Sequence, residues 1–380
     1  MELSEYRLKI DAIDRQLVAL FAERMQTASE IAAWKKEHDV PVLDATRERQ
    51  KLAEVSALAP EALREQTATL YSLLFELSRC YQSQLLGTSS ALPARIQAAI
   101  HDTPQLFPPQ ADVACQGVEG AYAQQACDKL FRTPNIFYCS TFEAVFSAIE
   151  SGLCRYGVVP LENSTAGSVN AVYDLMQKHN FSIVRSVRLK VDHCLLVKKG
   201  TKLSDIREIR THEQAIGQCG AFLRTLDGVK LVPCENTAVA AKEVAQSPRN
   251  DVAALASRSC AALYGLEVLQ ESVQDRGNNY TRFICITRGL EIYPGADRTS
   301  LMMVLRHRAG SLAQVLSRFY ARGINLNKLE SRPLAERDFE FMFYFDLDTP
   351  VYAPQFLQLM GELDELCERC FYLGSYSEVI

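Results

Sequence analysis

No window of this 380-residue sequence reaches the roughly 18 apolar residues that a membrane span requires, and its start, Met1-Glu2-Leu3-Ser4-Glu5, has neither the basic nor the apolar segment of an export signal. A cytoplasmic protein is expected. A cationic surplus is missing too: 41 Lys and Arg stand against 46 Asp and Glu, a formal net charge of −5. A general nucleic-acid binder needs the opposite balance to displace counterions from phosphates, so these basic residues suit small anions better. Gly-x-Gly-x-x-Gly spacing occurs nowhere, which counts against a dinucleotide-dependent enzyme, and no internal repeat marks a solenoid. The twelve cysteines are scattered, mostly within apolar strings such as Val113-Ala114-Cys115, as suits reduced core thiols. Cys367 and Cys370 form a Cys-x-x-Cys without the second pair or nearby histidines of a zinc site, and His193 and His212 are isolated, so no metal is expected.

What the chain does have is length for two or three cores, and a pattern that changes twice along it. From Ser4 to about Glu37, Ile10, Ile13, Leu17, Leu20 and Ile31 fall on a heptad-like seam, the mark of one amphipathic helix about 50 Å long. Such a helix must bury its face against other helices or another chain. Arg24 lies on the seam itself, where an unpaired cation is costly, so an anionic ligand should meet it. Lys35, eleven residues on, returns to nearly the same face, whereas Arg7 lies about 25 Å back along the axis and would have to serve the same ligand from a partner subunit. Val40-Pro41 breaks the helix, Asp44 to Arg49 opens a second, and after Ala59-Pro60 a third runs to about Leu86 with Ser78 and Gln82 one turn apart.

Gly87-Thr88-Ser89-Ser90 ends the helices, and a Pro-rich connection through Pro109 follows, with Pro93 to Ile100 able to form a short helix. Beyond residue 110, apolar strands alternate with helices: Val113 to Cys115, Tyr156 to Val159, Ile183 to Val184, Cys194 to Val197, Val252 to Leu255 and Phe283 to Ile286. That is α/β organisation, with ligands expected at strand ends. Polar residues gather there, in Gly117 to Tyr122, Val159 to Ser164, His193-Cys194-Leu195, Thr211 to Gln214, Asn236-Thr237-Ala238 and Asn279-Tyr280-Thr281-Arg282-Phe283. In the last of these a hydroxyl beside a fixed cation is a candidate proton donor to a carboxylate substrate. After Pro294 the order becomes strand, helix, strand, strand, helix, strand, a ferredoxin-like α+β pattern.

The set Arg7, Arg24, Lys35, Asp44, Arg47, Glu48, Ser78 and Gln82 resembles, position by position, the ligand set of the all-helical chorismate mutases. That resemblance implies an intertwined dimer in which Arg7, Arg24 and Arg47 fork onto the carboxylates of chorismate, and Lys35 and Gln82 stabilise charge developing on its ether oxygen. Glu48 with Asp44 would hold the hydroxyl, and Ser78 would contact the substrate. A pericyclic step needs no nucleophile or cofactor. Asn279 to Phe283 resembles the Thr-Arg-Phe signature of prephenate dehydratases, and the upstream motifs match that family in order over residues 111 to 290. It implies two α/β lobes, periplasmic-binding-protein-like, around prephenate. Thr281 would protonate the departing hydroxide, Arg282 would hold a carboxylate, and Asn163, Ser164, Thr211 and Gln214 would line the cleft. Ala121 and Glu213 depart from the family's usual residues.

Gly310-Ser311-Leu312 and Glu330-Ser331-Arg332-Pro333 resemble ACT regulatory domains, which implies a phenylalanine site there, although His307 to Ala309 departs from the usual pattern. The expectation is a cofactor-free bifunctional enzyme of phenylalanine biosynthesis: mutase at 1–90, linker at 91–110, dehydratase at 111–290 and ACT domain at 297–380, assembled as a homodimer or homotetramer. Arogenate in place of prephenate, or a non-catalytic amino-acid sensor, are the alternatives that product identification would separate.

Overall fold

The computed structural model describes residues 2–38, 40, 42, 44–86, 90–307, 310–334 and 341–379; Pro41, Gly87 to Ser89, and Arg308 with Ala309, which the sequence reading used, lie outside the described residues. The chain opens with α1 (Leu3–Glu37), 35 residues without Gly or Pro, closed by Lys35 and Lys36 at the negative end of its dipole. Asp44 caps α2 (Ala45–Leu58) by accepting the Arg47 backbone N–H at 2.9 Å. A short 3-10 turn (Glu61–Leu63) leads into α3 (Arg64–Leu86). The stretch read as a linker contains α4 (Leu92–Asp102), whose Pro93 stands in the first turn, where a missing N–H costs nothing, and whose Leu92 and Ile96 are buried.

The central region runs β1 (Asp112–Gln116), α5 (Tyr122–Leu130), β2 (Asn135–Cys139), α6 (Phe142–Glu150), β3 (Tyr156–Asn163), β4 (Gly167–Ser168), α7 (Asn170–His179), β5 (Ser182–Lys190) and β6 (Cys194–Val197). It continues as β7 (Glu208–His212), α8 (Glu213–Gln218), α9 (Gly220–Leu223), β8 (Lys230–Cys234), α10 (Thr237–Gln246), β9 (Val252–Ala256), α11 (Arg258–Tyr264), β10 (Glu267–Gln270) and β11 (Tyr280–Thr287). The last part is β12 (Arg298–Val304), α12 (Ser311–Ala321), β13 (Asn325–Pro333), β14 (Phe341–Asp348), α13 (Phe356–Leu366) and β15 (Arg369–Val379), in the strand and helix order expected. Besides the two-residue β4, the sequence reading missed β2, β7, β8 and β10. Three of these are edge strands with little buried apolar surface, and β7 carries the charges of Glu208 and Arg210. Among the described residues no helix is long and apolar enough to cross a membrane.

Two compact units result: residues 1–97 with 302–370, and 98–301 with 371–380. The second unit has two lobes. One is built on strands ordered β15-β5-β11-β3-β1-β2 around Val113, Tyr156, Val158, Phe283 and Cys285; the other on β10-β6-β9-β7-β8 around Leu196, Ala254, Leu195 and Leu255. The chain crosses between lobes twice, after β5 and before β11. The C-terminal strand belongs to the first lobe: Ser377 to Val379 pair parallel with Arg185 to Val187. Gly374 makes the approach possible, because at φ +134 a Cβ there would stand 2.4 Å from the Ile183 carbonyl oxygen. All twelve cysteines are free, and burial pushes the Cys285 thiol up, which suppresses thiolate chemistry.

The first unit joins α3 to α12 and α13 through buried charges rather than apolar contact alone. Arg318 donates to Glu76 at 2.6 Å and stands 3.5 Å from Glu362, which Arg322 meets at 2.8 Å. Arg79, one turn from Glu76, pairs with both Glu76 and Glu48. Burial alone would lower the Arg79 pKa, but Glu76 and Glu48 outweigh it and raise it; burial raises Glu362 against the pull of Arg322 and Arg318. Arg318→Ala leaves Glu76 and Glu362 without their shared cation and should cost about 3–5 kcal/mol of unfolding free energy. Urea unfolding followed in the helical unit checks this; an unchanged midpoint would mean that the carboxylates are hydrated.

Candidate active sites

Strand β11 lies between β3 and β5, antiparallel to both, which sets Thr281 opposite Asn163 on one side and Leu189 on the other. The pleat sends successive side chains to opposite faces. Thr281 and Phe283 therefore line a cleft of about 470 Å³ between the two lobes, and Arg282 turns away from it. The guanidinium is buried, 3.0 Å from Glu162, in contact with the Tyr376 hydroxyl and 3.9 Å from Glu378. The expectation that Arg282 holds a substrate carboxylate is thus corrected: it closes an ionic cluster behind the strand.

Asn163 is held by its own loop. Its Oδ1 accepts the backbone N–H groups of Thr165 at 3.0 Å and Ala166 at 2.9 Å, so its Nδ2 must face the other way. From there it donates to Thr281 Oγ1 at 2.9 Å and to Asn279 Oδ1 at 2.7 Å. Gln214 also lines the cleft. Two other expected members do not. Thr211 is fully buried and donates to the Leu255 carbonyl at 2.8 Å, and Ser164 donates to the Asn278 carbonyl at 2.8 Å while accepting the Tyr280 N–H at 2.9 Å. Both are short polar side chains spent on backbone groups, one in a strand interior and one in a loop clip.

The far lobe contributes His193, Gln218, His212 and Asn236 to the cleft. Burial lowers the His193 pKa, against the opposing pull of Gln218 and Asp192, so the ring is neutral near pH 7. His212 caps α8 by accepting the Gln214 N–H at 3.2 Å, and Asn236 caps α10 by accepting the Val239 N–H at 2.8 Å. Gly117, at φ +114, keeps the opposite wall low, since a Cβ there would come within 3.2 Å of Ala121. No Lys or Arg is among the described residues lining this cleft. An adjoining recess of about 410 Å³ shares Ala166, Gln214 and Gln218 with it and adds Arg276 and Asp275. Arg276 was missed in the sequence because it precedes the recognisable motif, in a loop with no periodic signal.

In the helical unit, Arg24 donates to Ser78 Oγ and to the Leu74 carbonyl at 3.2 Å, with its guanidinium 5.7 Å from the centre of the Phe75 ring. Burial lowers its pKa. Ser78 and Gln82 are buried one turn apart on α3, and Gln82 Oε1 meets no partner among the described residues. Glu48 is engaged by Arg79, a residue the sequence reading passed over. Lys35 donates to the Val42 carbonyl at 2.6 Å, Asp44 serves as helix cap, and Arg47 is exposed, 4.0 Å from Glu54. Arg7 is exposed on the unbroken α1, seventeen residues before Arg24. Ile10, Ile13, Leu17 and Leu20 on that helix are each more than half exposed in the single chain.

In the last eighty residues, Gly310 takes φ +84 at the start of α12 and Ser311 Oγ donates to the Arg306 carbonyl at 2.7 Å, with Leu312 next on the helix. Glu330, Ser331 and Arg332 lie on the edge strand β13, opposite Tyr344, Phe343 and Met342; Glu330 is 3.2 Å from Lys328.

The family "Prephenate dehydratase" matches residues 113–290, and "Chorismate mutase type II" matches residues 6–83. The bifunctional chorismate mutase/prephenate dehydratase of Escherichia coli (strain K12) is 33% identical over 97% of this chain and 95% of its own length. The arogenate dehydratase/prephenate dehydratase 2 of Arabidopsis thaliana is 37% identical over 70% of this chain and 72% of its length. The crystal structure of a prephenate dehydratase in complex with L-Phe, from Arthrobacter aurescens, is similar at 27% identity and a TM-score of 0.64, covering 70% of this chain and 89% of that one.

Because Arg282 balances buried carboxylates instead of facing the cleft, Arg282→Met should lower the unfolding free energy by about 3 kcal/mol or more. Ligand affinity of the still-folded cleft should be essentially unchanged. Calorimetry with and without ligand reads both, and a large affinity loss at unaltered stability would return Arg282 to the cleft.

Proposed function

This chain belongs to the bifunctional chorismate mutase/prephenate dehydratase family, and from that premise we propose how its residues share the two reactions of phenylalanine biosynthesis. In the helical unit Arg24 and Arg47, with Arg7 from a partner subunit, take the carboxylates of chorismate. Lys35 and Gln82 stabilise the ether oxygen as its bond to carbon breaks, and Asp44, Glu48 and Ser78 position the ring substituents. The exposed apolar seam of α1 supports a dimer, because a helix this long leaves Ile10 to Leu20 in water unless a second copy covers them.

In the cleft, prephenate loses its ring carboxylate as carbon dioxide. The electron pair of that bond enters the ring and expels the hydroxyl, which leaves as water after taking a proton from Thr281, and solvent reprotonates Thr281. One observation carries this assignment: Asn163 donates to Thr281 Oγ1 and is itself oriented by two backbone N–H groups, so the threonine's proton is left to point into the cleft. A hydrogen bond received at Oγ1 also favours the deprotonated hydroxyl, which makes a weak acid stronger. Gln214 lines the same cleft, and Arg276, in the adjoining recess, is the cation that would take a substrate carboxylate. Thr281→Val should reduce phenylpyruvate formation by about 10²-fold or more while chorismate is still converted to prephenate. Parent-rate dehydration would place the acid elsewhere. Assaying arogenate alongside prephenate tests the other activity that the Arabidopsis relative's name carries.

Gly310 to Leu312 and Glu330 to Arg332 form the phenylalanine site, a reading supported by the left-handed turn at Gly310 and by the relative solved with L-Phe. Truncation after Gly289 is a poor test of it, because that cut removes Tyr376 and Glu378 from the sheet that carries Thr281. Gly310→Val, forced into a φ that β-branched residues avoid, should instead blunt inhibition by phenylalanine and leave uninhibited turnover intact. Unaltered inhibition in the full chain would move control away from this turn.

A further inference from the structure

Three amides, one hydroxyl and one imidazole connect the cleft's Thr281 to the far lobe, and their donors and acceptors can be assigned in only one way. Asn163 is fixed by the Thr165 and Ala166 N–H groups, so its Nδ2 faces Asn279 Oδ1 at 2.7 Å. Asn279 then has Nδ2 toward Gln218, donating to Oε1 at 3.0 Å. Gln218 Oε1 is an acceptor and lies 3.0 Å from His193 Nε2, so that nitrogen must carry a proton. Gln218 Nε2 in turn donates to Thr165 Oγ1 at 3.3 Å, which donates to Asn163 Oδ1 at 2.7 Å and closes the circuit. Asn279 and His193 are each only 2% exposed. His193 Nδ1 is buried with no partner among the described residues, as fits a bare lone pair on the neutral ring.

We propose that His193, held as the Nε2–H tautomer, is a positioning residue for dehydration: its N–H locks Gln218 and Asn279 so that Asn163 keeps its donor on Thr281. The reason is the two-fold ambiguity of amides. Without the His193 donor, Gln218 can turn its NH₂ toward Asn279, Asn279 must turn its own NH₂ toward Asn163, and two donors then face each other where Asn163 Nδ2 sits. Asn163 is pushed off Thr281 Oγ1, and the hydroxyl loses both its orientation and its acidity. This rests on the reading of Thr281 as the acid.

The test uses the full chain. His193→Leu should lower dehydratase kcat by about tenfold or more with KM for prephenate little changed, the signature of a defect in the transition state. The mutase rate of the same preparation reports whether the chain is folded. His193→Gln, whose amide N–H reaches the position of Nε2, should recover most of kcat, and Gln218→Met should repeat the leucine defect. Nitrogen-15 NMR of the parent protein, labelled at histidine, should show His193 protonated at Nε2 and bare at Nδ1. Parent-like kcat in His193→Leu, no recovery in His193→Gln, or an Nδ1–H tautomer would each overturn the proposal. Thr281→Val measured in parallel separates the two claims: if it stays active the acid assignment has failed, and if it is inactive beside a fully active His193→Leu only the relay has failed.

Discussion

The alternation of side chains along β11 governs most of what the second unit can do. One strand presents a hydroxyl and a phenyl ring to the cleft and a guanidinium to the opposite face, and because β3 and β5 hold it on both sides, neither group can exchange faces without breaking the register. The buried guanidinium needs counter-charge. Glu162 supplies it from β3 and Glu378 from β15, whose Tyr376 hydroxyl also accepts from the guanidinium, so the end of the chain is a structural part of the sheet that carries Thr281. Glu378 also meets Arg188 at 3.0 Å and Arg298 at 3.3 Å, which ties three strands to one carboxylate.

In the helical unit, α3 works on two faces. Ser78 stands beside Arg24 with Gln82 one turn on, while Glu76 and Arg79 turn toward Glu48 on one side and Arg318 on the other. Buried ion pairs add little stability over a well-packed apolar core, but they demand a single arrangement, since any shift strands a charge. Arg318 on α12 and Arg322 at its C-terminal cap enforce that arrangement through Glu362 on α13. The helix that carries Ser78 and Gln82 is thereby packed against the helices of the C-terminal region within one compact unit.

Among the described residues no Lys or Arg lines the cleft, and its polar groups are amides, the imidazoles of His193 and His212, the Glu235 carboxylate and the starts of α5 and α10. Fixed dipoles of this kind stabilise developing charge without reorganising as the reaction proceeds. Arg276, in the adjoining recess, adds a full charge at the edge.

Much of this was legible in the chain itself. The heptad seam of α1 and the on-seam position of Arg24 follow from 3.6-residue periodicity, and the apolar runs of β1, β3, β6, β9 and β11 from burial on both faces. Those are local properties, set by covalent spacing and by the need to remove apolar surface from water. The unpartnered reach of Arg7 was likewise a matter of helix rise alone. What the sequence could not decide was direction. Thr281 and Arg282 are adjacent letters with opposite destinations, Thr211 and Ser164 spend their hydroxyls on Leu255 and Asn278, Arg79 and His193 acquire partners 31 and 25 residues away, and Arg276 comes to line the recess beside the cleft. Facing, burial and hydrogen-bond polarity depend on which strands pair and in what register, and that is settled only when the whole chain has found the one packing in which its buried donors and charges are matched.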